Sequence, residues 1–169
     1  MKNLFLNLTF LFLYSCNISM APVNLDQSEN GDRDGQDNRD RTVRIDAHEK
    51  EVFDLINKYR KQNGKAALKW IDQAILEAQY HSEDQAQDGA LSHSGLSDRI
   101  QTIEARENVD VKSYAENVGY NISAQRMVNG WLSSFGHHRN ILGDYTHTGI
   151  GKAVSGSQVY FTQIFLKFQ

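Results

Sequence analysis

The chain has a single cysteine, Cys16, and it lies at the end of an apolar stretch rather than in the body of the protein. No intrachain disulfide can form. The stapled scaffolds open to small secreted domains are therefore excluded, and the folded part must be held by apolar packing, with a metal as an optional supplement. Two Trp, eight Phe and seven Tyr in 169 residues supply the bulk for such a core, and a chain of this length has room for one domain plus appendages. The formal net charge is -3, and no dense Lys/Arg stripe offers the clustered cations that a phosphate backbone needs. Nucleic acid is not an expected partner.

Residues 1–16 read as an address. Lys2 supplies a short positive start, and Leu4, Phe5, Leu6, Leu8, Phe10, Leu11, Phe12 and Leu13 supply the apolar region of a signal peptide. The run is too short to span a bilayer, which takes about 20 apolar residues. Leu13-Tyr14-Ser15-Cys16 resembles a bacterial lipobox, in which a small residue precedes a cysteine that is lipidated and becomes the mature N-terminus; Tyr14 departs from the smaller residue usual at its position. Lipidation with two or more acyl chains would anchor the protein stably to a membrane. Asn17 is not the aspartate that retains proteobacterial lipoproteins at the inner membrane. The resemblance therefore implies an exported cell-envelope lipoprotein, at the outer membrane or surface of a host with two membranes, and a secreted protein if Cys16 is not modified. Residues 17–43 are rich in Asp, Asn, Gln, Arg and Gly, with almost no large apolar residue after Leu25. They cannot offset the entropy of ordering their backbone and read as a flexible polar tether.

The folded domain is expected over residues 44–169. From Asp46 the period is helical: Val52, Leu55, Ile56 and Tyr59 fall on one face, and Gly64 suits the C-terminal cap. A second helix begins near Asp72, read as its N-cap, and places Ile75, Ala78, Ser82 and Ala86 on a stripe of mostly small residues before Gly89. Leu96, Ile100 and Ile103 predict a short third helix. Ser123 caps a fourth with Met127, Val128 and Trp131 on its core face, and Gly136 ends or redirects it. Beyond Tyr145 the period changes to two, so that Ile150 and Val154, the turn Ser155-Gly156-Ser157 and the run from Val159 to Phe165 form a hairpin. Tyr114 to Tyr120 is a further candidate strand. Helices and an antiparallel sheet sharing one core make the class α+β.

Several separated phrases carry a family resemblance: Leu55-Ile56-Asn57, Arg60, Leu68-Lys69-Trp70, His81, Leu91-Ser92-His93-Ser94, Ala115-Glu116-Asn117-Val118-Gly119, the run from Gly130 to Leu142, Thr148-Gly149-Ile150-Gly151 and Phe161-Thr162-Gln163-Ile164-Phe165. In this order they resemble the CAP superfamily of cysteine-rich secretory, antigen-five and pathogenesis-related proteins, in its disulfide-free bacterial branch of SCP domains. The resemblance implies a three-layer α/β/α sandwich with a ligand-binding cleft lined by two histidines and acidic residues. On the matching positions these are His93, Glu116 and His137. The second acidic residue of many eukaryotic members falls near Ser133 or Ser134, so the full tetrad is not present.

Two imidazoles and a carboxylate suit a divalent cation such as zinc, with His93 and His137 as candidate metal ligands and Glu116 beside them, or they form a hydrogen-bonded polar cluster that needs no cofactor. Glu116 also reads as a buried carboxylate receiving backbone N–H bonds, and Asn117 as a turn residue. His81 is expected to hydrogen-bond a nearby backbone group, His138 to sit on the surface or rim, and His48 and His147 to be solvated. Trp131 and Met127 read as core, while Arg139 and Asn140 are expected to hold backbone carbonyls around the loop after the fourth helix. Asn121-Ile122-Ser123 fits a glycosylation sequon that a bacterial lipoprotein does not ordinarily use. No G-x-S-x-G elbow, phosphate-cradling glycine loop or cysteine nucleophile occurs in the folded part. Two functions stay open: a non-catalytic envelope binding module for lipid, glycan or protein, and a divalent-metal-dependent hydrolase or peptidase in which Glu116 is base or third ligand.

Overall fold

The structure, a computed structural model, describes residues 42–169. The readings made for the signal peptide, for Cys16 and for most of the 17–43 segment lie outside the described residues.

Among the described residues five helices and four strands follow one another as α1 (Ala47–Gln62), β1 (Lys69–Trp70), α2 (Asp72–Asp88), α3 (Leu96–Glu107), β2 (Val111–Asn121), α4 (Ala124–Ser133), α5 (Phe135–Ile141), β3 (His147–Ser155) and β4 (Gln158–Phe168). The strands form one sheet in the order β1-β3-β4-β2. Residues directly opposite one another share a face, so the registers Gly149↔Ile164↔Glu116 and Ile150↔Gln163↔Asn117 sort the sheet into two sides. Val52 and Ile56 of α1 and Met127, Val128 and Trp131 of α4 cover the side of Ile150, Phe161 and Phe165. Ala74 and Ala78 of α2 and Ile100 and Ile103 of α3 cover the side of Ile164 and Leu166. The three-layer sandwich expected from the sequence is thus the fold. One correction applies: β3, β4 and β2 are antiparallel, but β1 pairs parallel to β3, so the sheet is mixed.

Local chemistry explains most boundaries. Asp46 caps α1 by accepting the His48 and Glu49 N–H groups, and the Glu49 carboxylate accepts the Asp46 N–H at 2.8 Å, which closes a capping box. Ser123 caps α4 as expected, whereas the N-cap of α2 is Ile71 and Asp72 stands one residue inside the helix. The break between α4 and α5 falls at Ser134, whose extended backbone (ψ 123) interrupts the helical path. Gly136 lies inside α5 and does not make the break.

Arg60, at the last turn of α1, is 2% exposed. Its guanidinium donates to the carbonyls of Ala66, Ile141, Gly143 and Tyr145 at 2.7–3.0 Å, tying the chain after α5 to the end of α1. The outer edge of β2 is also occupied. Trp131 Nε1 donates to the Val118 carbonyl at 3.1 Å and Asn140 Nδ2 to the Glu116 carbonyl at 3.2 Å, so two side chains take backbone groups that a neighbouring strand would otherwise seek.

Candidate functional site

The site forms where α2, α3 and α5 approach the β2 edge. Glu116 and Asn117 are successive strand residues and so face opposite sides of the sheet. Glu116 turns toward α2 and α3, where its side chain is fully shielded from solvent. One carboxylate oxygen accepts His93 Nδ1 at 2.8 Å and the other accepts an Arg99 terminal nitrogen at 2.6 Å. Asn117 turns toward α5, donates to the His137 carbonyl at 3.2 Å and accepts Asn140 Nδ2 at 2.9 Å. One dipeptide therefore fixes both histidine-bearing segments.

The loop that carries His93 is clamped from two helices. Gln85 Oε1 accepts the Ser92 N–H at 3.2 Å, and His81 Nε2 donates to the Ser92 carbonyl at 2.6 Å. Arg99 Nη1 donates to the Ser94 carbonyl at 2.8 Å. Gln85 is itself held by Thr162 of β4 at 3.0 Å, so the clamp traces back to the sheet. A carboxylate only accepts, and the Nδ1 proton of His93 therefore points at Glu116. Its Nε2 belongs to a side chain that is 54% exposed.

His137 stands within electrostatic reach of His93. Burial first, and then the neighbouring His93, push its pKa below the ordinary histidine value. The structure thus brings His93 and Glu116 into direct contact, and His93 acts on His137 electrostatically. It corrects the backbone-donor reading of Glu116, whose partners are side chains, and the turn reading of Asn117, which lies in a strand.

Arg99 escaped the sequence reading, although a signal was present. It shares the helical face of Leu96, Ile100 and Ile103, and a charge on an apolar face needs a buried partner. His81 performs the expected backbone bond, and its 4.0 Å approach to Glu116 is secondary to it. His138 accepts or donates to Tyr59 OH at 2.9 Å, which ties the rim to α1. His48 is exposed, as expected. His147 is not simply solvated: its ring stacks on Phe168 at 4.5 Å, and burial lowers its pKa. Arg139 lies over the Phe135 ring at 5.9 Å.

The donor set fits a metal poorly. Both Glu116 oxygens are engaged, and the Arg99 guanidinium is a fixed cation beside the place a dication would take. Among the described residues no group of three or more His, Cys, Asp or Glu is arranged to hold a metal ion. His93 and His137 remain as two nitrogen donors, without the third protein ligand of an open catalytic zinc site.

The profile of the cysteine-rich secretory protein (CAP) family matches residues 53–165. The chain belongs to this family. It is 37% identical over 127 residues to the "uncharacterized membrane protein YlbC" of Bacillus subtilis (strain 168), covering 70% of this chain and 34% of that protein. Among solved structures, an extracellular SCP-domain protein of Bacillus anthracis str. Ames matches with a TM-score of 0.60 at 29% identity, over 70% of this chain and 39% of that one. An outer surface protein of Borrelia burgdorferi matches with a TM-score of 0.64 at 19% identity, over 74% of this chain and 97% of that one, which shows a shared fold. This CAP chain spans little more than a third of the length of the two Bacillus proteins.

Proposed function

We infer that this CAP protein is an exported binding module, held to a membrane through a lipidated Cys16 and the polar 17–43 segment, and that it takes a ligand at the His93/Glu116/His137 cleft. The observation that carries this reading is the paired state of Glu116. Its carboxylate is buried and spent on His93 and Arg99, so Glu116 is not free to serve as base or third metal ligand. Such a site orients an imidazole; it does not assemble a hydrolytic centre.

The surroundings favour an amphiphilic ligand, an envelope lipid before a glycan or protein. Leu91 and Phe135 each precede one of the two histidines by two residues and are exposed, Phe135 at 83%. Exposed apolar side chains on the same loop and helix as the polar cluster suit a molecule with both characters. Export agrees with the words used of relatives, one called a membrane protein, one extracellular and one an outer surface protein. No helix among the described residues is long and apolar enough to cross a membrane.

The test is native mass spectrometry and calorimetry of the protein with envelope lipid extract, repeated with His93→Ala and His137→Ala combined. Loss of the cleft imidazoles is expected to weaken binding about tenfold, near 1.4 kcal/mol. Equal binding by the variant would remove the cleft from the function. Stoichiometric zinc that disappears in the same variant, together with hydrolysis of ester or peptide substrates, would replace the binding reading with the metal-dependent one.

A further inference from the structure

The sheet end opposite β1 gathers features that the cleft does not use. The β3–β4 turn, the β2–α4 connection and the start of α1 meet there: Val154 pairs with Val159 and Val159 with Asn121, while Asp46 reaches Lys152 of β3 at 2.7 Å. Four large apolar side chains are exposed on these segments, Ile45, Tyr120, Ile122 (57%) and Val154 (61%). The same segments carry the polar Asn121, Ser155 and Ser157 and the exposed cations Arg44 and Arg126. This is also where the described chain begins, at Thr42, so everything N-terminal of the domain joins it at this end.

We propose that this hairpin end is a membrane-facing surface, seated on the headgroup layer of a phospholipid bilayer with Ile122 and Val154 at the acyl boundary. The inference rests on the anchored reading above for the domain's proximity to lipid. A 17–43 segment read as a coil spans about 30 Å, which holds the entry point at Thr42 near the bilayer. Tyr120 suits the headgroup level, since its ring is apolar and its hydroxyl polar, and Arg44 and Arg126 can meet lipid phosphates. Two aliphatic tips are too little surface to recruit a free protein. They set the orientation of one already tethered. Glu116 lies four strand residues from Tyr120, about 13 Å along β2, so docking on this end places the cleft just above the headgroups, facing along the membrane.

Cys16 is the chain's only cysteine, so in the acylated protein a nitroxide introduced through Ile122→Cys or Val154→Cys is a single label. The acylated protein is placed on vesicles of mixed phosphatidylethanolamine and phosphatidylglycerol, and access of aqueous chromium oxalate to each label is measured against Lys65→Cys, beyond the far end of α1. Access at 122 and 154 is expected to fall about fivefold on vesicles while the label at 65 is unchanged, as for side chains seated at the headgroup boundary. Equal access at all three positions would overturn the proposal. Shielding at 122 and 154 in vesicle-free buffer would overturn it too, because the patch is then covered by protein. Flotation reads the acyl anchor separately. Should that anchor fail, the same labels are read on Cys16→Ala protein held to a chelating lipid by an N-terminal hexahistidine, where the same fall or its absence decides the docking surface.

Discussion

On the α2 side of the sheet, backbone approaches backbone; on the α1/α4 side, large side chains keep the layers apart. A Cβ added to Gly149 would stand 2.0 Å from the Ala74 carbonyl carbon, and one added to Gly151 would stand 2.1 Å from the Gln79 nitrogen. Ala74 and Ala78 complete that close seam, and Ser82 and Gln85 use the short distance to hydrogen-bond Thr162 at 3.0 Å. Across the sheet, Trp131, Phe161 and Phe165 fill the space between strands and helices without exposure. The difference has a functional sense. The tight side must hold the Glu116, His81 and Gln85 cluster in fixed register, because each bond there supports the His93 loop. The bulky side supports α5, and hence His137, through packing together with the Asn117 hydrogen bonds to the His137 carbonyl and Asn140.

If the two sides differ in this way, they must fail differently. Deleting bulk on the α4 side is expected to have the largest effect: Trp131→Ala leaves a cavity and frees the Val118 carbonyl, at a cost of about 4 kcal/mol in chemical denaturation. A cost below about 1 kcal/mol would mean that this layer collapses to fill space and is not set by its large side chains. Adding bulk on the α2 side comes next. Gly149→Ala must push backbone away from backbone and is expected to cost about 3 kcal/mol. Gly136→Ala is the control, since nothing lies within 4 Å of its added Cβ in α5 and the helix gains about 0.8 kcal/mol from the substitution. Equal tolerance of both alanines would dissolve the contrast between the sides.

Much of the fold was legible because it rests on periodic signals. Val52, Ile56 and the Ala78/Ser82 stripe carry the 3.6-residue period, and the Ser155-Gly156-Ser157 punctuation places the hairpin, where Gly156 takes a left-handed φ of 59. What escaped lacks a period. β1 is two residues long and exists only through its parallel pairing with β3. α5 has seven residues and begins with an exposed Phe135, so it has no amphipathic face to read. At the site, the residues His93, Glu116 and His137 came from family phrases, not from spacing. The pairing of Glu116 with Arg99 was hidden because the partners lie on different elements, and only the incongruous charge on α3 pointed to it. The use of Asn140 and Trp131 to cap the β2 edge depends on α4 and α5 closing over the strand, which no local pattern states.

The smallest expected effect tests where the two sides meet. His137 is depressed by burial and then by His93, whereas His147, at the far end of the sheet, is depressed by burial and then by Lys69. A histidine whose folded pKa lies below its unfolded value binds fewer protons folded than unfolded in the window between the two. Stability therefore rises with pH across that window: the contribution is complete above the ordinary histidine pKa and is lost as pH falls through the folded one. His137 is partly solvated, so the change should be only about a few tenths of a kcal/mol after screening, and NMR titration is the sharper measurement. His93→Gln should move the His137 pKa part of the way back toward its ordinary value, because the burial contribution stays, and should leave His147 where it is. If His137 does not respond, the imidazole held from the α2/α3 side and the one carried by α5 do not share a cleft at the β2 edge. If both histidines move, the substitution has loosened the whole sandwich and the effect is not one of a neighbouring charge.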